Sequence, residues 1–534
     1  MSGAPFPAHS PVLLTGTRAL ALIAGLLAAI AQPPWGFLPG LLGYGLLLRL
    51  IDLLGTRARW RSAFALGWLT GFGYFLVSVA WLAQPFQVDA EAQGWMAPFA
   101  VILMAALLAL FWGVAATAYR LVAGRGLRRV LLFAGALCLA EWLRGHLFTG
   151  FPWDLPGESW RAGSAPSQMA SVVGAYGLSW ITVAAAAAPF TVFDGPRGRL
   201  MALGGVAAIV GLYAFGAGRL SGGPSLDVRA PWVRIVQADV KQENKYDQRL
   251  FSSIVTRYVT LTARPPSAGM THAPDIVVWP EGAIPAALEE YLADGTWTRA
   301  AIAGALKPSQ TLILGGYRFG SAASGAPITF NSLAVLRPEG GGLKVTGVYD
   351  KFRLVPFGEF MPFDSVATRW GIKQFVHVGD GFTPGPRSRP MRLEGLPPVQ
   401  PLICYESLFP GFTREGADAA GLRPAWIVNI SNDAWFGVGA GPRQHLNLAS
   451  YRAIEEGLPM VRATPTGISA MINAYGRVAR GKSLKIGAYG VIDAQLPPAL
   501  APTLFSQYGD TAFFLMILFS ATGAVLPGRA GLRR

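Results

Sequence analysis

Val399-Gln400-Pro401-Leu402-Ile403-Cys404-Tyr405-Glu406 is the stretch on which the reading of this chain turns. The apolar positions Val399, Leu402 and Ile403 make a strand-like run that delivers a cysteine, and a helix-compatible segment follows it. The chain has only two cysteines in 534 residues. A thiol at a strand end, beside a tyrosine and a glutamate, suggests a nucleophile. The competing reading is a buried structural cysteine, since free cysteine is among the most buried residue types. What stands around it in the sequence decides between them.

From Pro231 to about residue 498, short apolar strands alternate with amphipathic charged segments. Strands are expected at Val233–Asp239, Asp275–Trp279, Thr311–Phe319, Phe330–Leu336, Leu343–Tyr349, Val399–Cys404, Trp426–Ile430, Met460–Ala463 and Ile468–Asn473. Helices are expected at Asn244–Ala263, Ala286–Ala305, Phe409–Ala420 and Gly441–Gly457. The alternation predicts an α/β layered domain. Two further strand ends carry chemistry. Ile276-Val277-Val278-Trp279-Pro280 leads to Glu281, and Val348-Tyr349-Asp350 leads to Lys351, with Glu359 soon after. Reactive groups of α/β sheets gather outside the carboxyl ends of strands, so Glu281, Lys351 and Cys404 can meet there.

The three residue types suit one another. A free thiol, with a pKa of about 8.5, is only slightly ionised at neutral pH. A carboxylate can take its proton as general base. Thiolate attack on an ester or amide carbonyl places charge on oxygen. A lysine ammonium and a backbone N–H can hold that oxyanion, each donor being worth roughly 3–4 kcal/mol. No histidine stands near these segments in the sequence, which argues against a papain-like Cys-His pair. Taken singly, Glu281 reads as well as a surface carboxylate, and Lys351 as a partner of Asp350.

Composition sets the surroundings. The chain is 52% hydrophobic and 14% charged, with mean hydropathy +0.38, whereas a soluble protein carries charge on about a quarter of its residues. The formal charge of +15 comes from arginines in short loops between apolar runs. That is a membrane-topology pattern and not the clustered basic face of a nucleic-acid binder. Two distant cysteines and five scattered histidines give no disulfide framework and no metal-ligand spacing; no metal and no cofactor are expected. Seven candidate spans precede residue 220, at 13–31, 39–54, 62–83, 95–119, 129–148, 168–193 and 200–218, and an eighth lies at 510–527. Arg57, Arg59 and Arg61, then Arg125, Arg128 and Arg129, then Arg197 and Arg199, and finally Arg529, Arg533 and Arg534 fill alternate loops. The positive-inside rule puts both termini in the cytoplasm and the stretch between spans seven and eight outside. Domains are therefore expected at 1–228, 229–498 and 499–534. Glu141 and Arg144, three apart at the end of span five, share a helix face and can pair. With the aromatics of Phe148–Trp153, they read either as an ion pair with an aromatic belt or as the border of a lipid-access site. Cys138 reads as a small packing residue.

The motifs Trp279-Pro280-Glu281, Tyr349-Asp350-Lys351, Leu354-Val355-Pro356-Phe357-Gly358-Glu359-Phe360, Ile403-Cys404-Tyr405-Glu406 and Asn429-Ile430-Ser431-Asn432-Asp433-Ala434-Trp435-Phe436-Gly437 resemble the nitrilase (carbon-nitrogen hydrolase) superfamily and, within it, the apolipoprotein N-acyltransferase family. Gln444-His445, Val461–Thr464, Thr466–Ala470, Glu141–Arg144 and Phe148–Trp153 extend the likeness over nearly the whole chain. The resemblance implies an eight-helix membrane bundle carrying an extracytoplasmic αββα sandwich in the bacterial inner membrane. It implies Cys404 as nucleophile, Glu281 as base and Lys351 as oxyanion stabiliser. Glu359, Tyr405 and Glu406 would support them, with the Tyr405 N–H as a second oxyanion donor. It further implies an acyl donor among glycerophospholipids, typically phosphatidylethanolamine, diacylglyceryl apolipoproteins as acceptors, and a monomer. Tyr246, Phe357, Trp435 and Phe436, with Phe360 and Phe363, are candidates for lining the acyl-chain path. Tyr246 stands where the family carries tryptophan, and Gly282 where threonine or serine is usual. A membrane-tethered nitrilase or amidase acting on a soluble amide is the alternative.

Overall fold

The computed structural model describes residues 11–54, 60–122, 127–223, 227, 229–270, 272–362, 381–414, 416 and 421–525. They form two compact units, residues 1–218 with 510–534, and residues 219–509. Of the residues named above, Arg57, Arg59, Arg125, Phe363 and the three C-terminal arginines lie outside the described residues.

The first unit is helical. Helices run at α1 (Pro11–Ile30), α2 (Leu42–Asp52), α3 (Trp60–Ser78), α4 (Ala97–Val122), α5 (Leu127–His146), α6 (Ala170–Ala187) and α7 (Pro196–Ser221), with a last one at Thr511–Val525. Each expected span thus holds a helix, of unequal length. Among the described residues, four helical stretches, Ala90–Val122, Arg128–Thr149, Pro166–Asp194 and Pro196–Ser221, are long and apolar enough to cross a membrane; a fifth is added if Trp60–Ser78 and Ala80–Gln87, bent by 59°, count as one. α2 has 11 residues, about 16 Å of helix, well short of the roughly 20 residues a bilayer core needs. Close approach rests on small residues, as in membrane bundles. A Cβ on Gly25 would meet the Thr70 carbonyl oxygen of α3, and one on Gly67 would meet the Trp112 carbonyl of α4. Glu141 and Arg144 do pair, both fully buried. Trp112 donates to Glu141, and Arg144 donates to the carbonyls of Phe151 and Trp153. The ion pair therefore fastens the aromatic loop to α5. Cys138 is fully buried among apolar neighbours.

The second unit is two six-stranded sheets. Its strands are β1 (Trp232–Gln237), β2 (Ile276–Val278), β3 (Thr311–Ser321), β4 (Pro327–Glu339), β5 (Gly342–Asp350), β6 (Met391–Leu393), β7 (Leu396–Ile403), β8 (Trp426–Ile430), β9 (Met460–Ala463), β10 (Ser469–Ile472), β11 (Val478–Leu484) and β12 (Gly490–Gln495). The first sheet has the order β12-β1-β2-β3-β4-β5 and the second β11-β10-β9-β8-β7-β6. β1, β2 and β3 are parallel, as are β7, β8 and β9, so their carboxyl ends point one way within each sheet. Val233, Ile276, Ile313, Leu333 and Tyr349 of the first sheet interleave with Val399, Ile403, Val428, Ile430 and Val461 of the second. The other face of the first sheet, with Val277, Trp279 and Leu314, packs on α8 (Phe251–Ala263) and α9 (Trp297–Ala305). α10 (Gly441–Glu456) is buried along most of its length.

Three strands were not expected. β6 has three residues, and β11 reads Val-Ala-Arg-Gly-Lys-Ser-Leu, polar and broken by Gly481 at φ +70°. β12 pairs antiparallel with β1 from far along the chain. Two expected helices are broken in two. In Asn244–Ala263 the break falls at Asp247, whose carboxylate accepts from the Arg249 N–H and caps a new turn. In Ala286–Ala305 it falls at Gly295, φ +80°, a conformation open to glycine and closed to a helix. Within the expected helix at Phe409–Ala420, residues 412–414 and 416 are helical, following a 3-10 turn over Cys404–Leu408, and residues 415 and 417–420 lie outside the described ones.

Candidate active site

Strand alternation sorts the residues at the end of β5. Successive side chains face opposite ways, so Asp350 turns to Arg318 (2.7 Å and 2.5 Å) and Ser332 (2.7 Å). Lys351 turns to two glutamates instead. Its Nζ lies 2.9 Å from Glu359 Oε1 and 3.4 Å from Glu281 Oε1. The pairing of Lys351 with Asp350 is thereby excluded.

Glu281 follows β2 and is 8% exposed. Its Oε1 accepts from Asn331 Nδ2 at 2.7 Å, and its Oε2 accepts from the Asn432 N–H at 2.7 Å, just beyond β8. Burial pushes its carboxyl up, but Lys351, the Asn331 amide, Lys245 and the Asn432 N–H together hold it below its ordinary value. Asn331 also donates to Glu359 Oε1 at 2.6 Å, and Glu359 Oε2 accepts from the Val355 N–H at 2.8 Å. For Lys351, burial works against the ammonium, yet Glu359 and Glu281 raise its pKa well above the ordinary value.

Cys404 closes β7 with φ +49°. A non-glycine residue in that region costs about 1–3 kcal/mol and persists only where its surroundings fix it. Here Ser407 Oγ donates to the Cys404 carbonyl at 2.8 Å, and Glu406 Oε2 accepts from the Ile403 N–H at 2.8 Å. Glu406 Oε1 takes the Tyr349 hydroxyl at 2.6 Å and the N–H groups of Phe352 at 2.8 Å and Arg353 at 3.2 Å. One buried carboxylate thus ties the cysteine turn to the segment after Lys351. Burial raises the Glu406 pKa despite these donors. Burial also pushes the Cys404 thiol up, and Glu281 adds to this while Lys351 and Ser431 oppose it. The net result is a neutral thiol at pH 7, beside a carboxylate and an ammonium. Such a cluster can pass a proton from sulfur to carboxylate as sulfur bonds to a carbonyl carbon.

A histidine does stand near the cysteine turn, against the sequence expectation. His445 Nε2 lies 3.2 Å from Ser407 Oγ and its Nδ1 lies 3.0 Å from Asp433 Oδ1. Asp433 is in turn held by Arg462 at 2.9 Å and by Ser431 at 2.8 Å. Burial and Arg462 lower the His445 pKa, so the ring is neutral. His445 is 41 residues from Cys404 in sequence, and only the packing of α10 on the cysteine turn brings it there. Asn331 was missed too; its signal was a polar residue inside the strand run Phe330-Asn331-Ser332-Leu333.

Tyr405 is buried edge-on to Phe409 at 5.1 Å. Tyr246, Phe357 and Trp435 are exposed. Phe436 is buried edge-on to the His445 ring at 5.1 Å, a packing position instead of an open apolar surface.

Residues 24–188 match the family profile for the apolipoprotein N-acyltransferase N-terminal domain, and residues 233–502 match that for carbon-nitrogen hydrolases. The chain is 53% identical over 502 residues to the apolipoprotein N-acyltransferase of Caulobacter vibrioides, covering 94% of this chain and 93% of that one. Against the protein of the same name from Bradyrhizobium diazoefficiens it is 38% identical over 523 residues, covering 95% and 94%. Against that from Brucella suis it is 37% identical over 539 residues, covering 97% and 98%.

Proposed function

The chain belongs to the apolipoprotein N-acyltransferase family, and on that footing we propose that it transfers an acyl chain from a glycerophospholipid, through a thioester on Cys404, to the N-terminal amine of lipoproteins. The observation that carries this reading is the meeting of Glu281, Lys351 and Cys404 at three strand ends, with Glu281 ionised and the thiol neutral. In the first half-reaction the Cys404 S–H proton passes to Glu281 as sulfur bonds to the ester carbonyl carbon. Lys351 and the Tyr405 N–H hold the oxyanion. The C–O ester bond then breaks, Glu281 returns the proton to the departing alkoxide, and a lysophospholipid leaves. In the second, the α-amino nitrogen of an S-diacylglyceryl-cysteine attacks the thioester carbon and gives its proton to Glu281. The C–S bond breaks, and the proton goes back to Cys404.

Glu359 keeps Lys351 between the two carboxylates, and Glu406 fixes the turn on which Cys404 stands. Phosphatidylethanolamine is the expected donor and a monomer the working unit. Tyr246, Phe357 and Trp435, all exposed, are the candidates for meeting an acyl chain. The proposed setting is the inner membrane, with eight spans, cytoplasmic termini and the sheet unit on the outer side. A soluble-amide hydrolase is disfavoured, because the match at residues 24–188 is to a domain of the acyltransferases. The test is Cys404→Ala in a cell deprived of its own enzyme, with mass spectrometry of a lipoprotein N-terminus. The expected result is loss of the third acyl chain; its continued appearance overturns the reading. An acyl-sized mass on Cys404 of the wild-type protein, incubated with donor alone, is the positive counterpart.

A further inference from the structure

Lys245 has no part in the steps above. It ends the short helix Gln242–Lys245 beyond β1 and is 5% exposed. Among the described residues its Nζ has no hydrogen-bond acceptor; its contacts are the Tyr246 ring, 5.9 Å to the centroid, and the charge of Glu281. A Cβ on Gly282 would stand 2.5 Å from that Nζ. The ammonium therefore occupies space that opens only because the residue after Glu281 has no side chain. Burial lowers its pKa to about 8, with Glu281 opposing, so near pH 7 it is still mostly charged. A largely buried ammonium whose one charge neighbour is Glu281, and which has no hydrogen-bond acceptor of its own, is costly to keep, and a fold that keeps it departs from local consistency at a site of function. A substrate that brings an anion would supply the missing acceptors. In a glycerophospholipid, the phosphate is only a few bonds from the ester that Cys404 would attack.

We propose that the Lys245 ammonium, lodged over Gly282 beside Glu281, binds the phosphodiester of the acyl donor and so selects phospholipids over uncharged acylglycerols. This rests on the donor reading given above. The test follows thioester formation on Cys404 of the purified full chain by intact mass near pH 7, where Glu281 is ionised with or without Lys245. Phosphatidylethanolamine is compared with diacylglycerol of the same chains. Lys245→Met should raise KM for phosphatidylethanolamine by about 10- to 100-fold, the range of one charge-assisted hydrogen bond, and cost the diacylglycerol reaction far less. Lys245→Arg should retain most of the selectivity. Because Lys245 has no hydrogen-bond acceptor and Glu281 keeps Lys351 and Asn331 without it, the Tm of Lys245→Met should be unchanged or higher. Equal loss on both donors, a fallen Tm, or no loss overturns the proposal. So does inorganic phosphate that, at constant ionic strength, competes as well as a soluble glycerophosphodiester, for then the site takes a free anion. A wild-type chain that forms no thioester with phosphatidylethanolamine is a different result: it refutes the donor reading itself.

Discussion

Glu359→Gln separates charge from shape at the centre of the site. Glu359 Oε1 accepts from Lys351 at 2.9 Å and Asn331 at 2.6 Å, and its Oε2 accepts from the Val355 N–H at 2.8 Å. All three partners are donors. A glutamine can keep its oxygen on Lys351 and Asn331 only by turning its NH2 against the Val355 N–H, and the opposite flip sets the NH2 against the ammonium. The first flip leaves one buried N–H unsatisfied, about 1–3 kcal/mol, and weakens the charge-assisted bond to Lys351, for roughly 2–4 kcal/mol together. Lys351, held less firmly at position 359, then closes on Glu281, now 3.4 Å away, and ties up that carboxylate. If the loss falls on the transition state, acylation slows by about 30- to 1,000-fold at 1.4 kcal/mol per decade. The assay is single-turnover thioester formation on Cys404 by intact mass, with thermal unfolding alongside and Glu359→Asp as the charge-retaining control. Acylation within about threefold of wild type, a margin worth under 1 kcal/mol, would refute the reasoning, for Lys351 would then need no second carboxylate.

Asn331→Leu removes donors to both Glu281 and Glu359, so acylation should fall by about 10-fold or more, from two lost bonds of roughly 1 kcal/mol each or stronger, and the acid limb of its pH profile should move up. In the wild-type protein that limb should lie below pH 4.5, the ordinary value from which Glu281 is depressed; kcat/KM for acylation against pH measures it. The sign for stability is the same: a depressed carboxyl stabilises the fold above its unfolded pKa, and the contribution is lost as pH falls through the lower folded one. Cys404, raised by burial from an ordinary 9.0, should react slowly with iodoacetamide at pH 7, and the rate should keep rising past pH 9.0. Glu406→Gln meets donors at both oxygens and should lower stability by roughly 2–4 kcal/mol, read as a lower Tm, with acylation lost alongside.

What the sequence made legible was whatever a local pattern can encode. Val277 and Val278 before Glu281, and Leu402 and Ile403 before Cys404, end apolar runs on polar residues, and such runs are strands whose ends face solvent or a site. The Asp350–Lys351 pair shows where local reading stops: both are charged and adjacent, and only the pleat sends one to Arg318 and the other to Glu281. The donors that shape the base were out of reach for a similar reason. Asn432 acts through its backbone N–H, which any residue but proline would supply, and it meets Glu281 from the other sheet. Lys245 and Gly282 lie 37 positions apart, and their contact depends on a helix that breaks at Asp247. The membrane helices were found by hydropathy, and 39–54 was already the shortest of the expected spans; what hydropathy left open was its start, where the flank Leu38–Leu41 coils as a 3-10 turn.

The two titrating groups are displaced in opposite senses, and that bears on how an acyl-enzyme can survive. With Glu281 held below and Cys404 above their ordinary values, moving the proton from sulfur to carboxylate is uphill in the resting site. The reactive thiolate is therefore not stored. It appears only as the new S–C bond offsets the transfer, which ties proton movement to the presence of an ester. In the proposed reaction Glu281 is ionised again once the lysophospholipid has taken the proton, and an ionised base beside a thioester would serve water as readily as an amine. Discrimination between the two must come from access, because the base has no means of telling them apart. The exposed side chains at Tyr246, Phe357 and Trp435 are the proposed control points of that access. Replacing them singly with alanine should raise hydrolysis of the thioester relative to aminolysis more than it changes the rate at which the thioester forms.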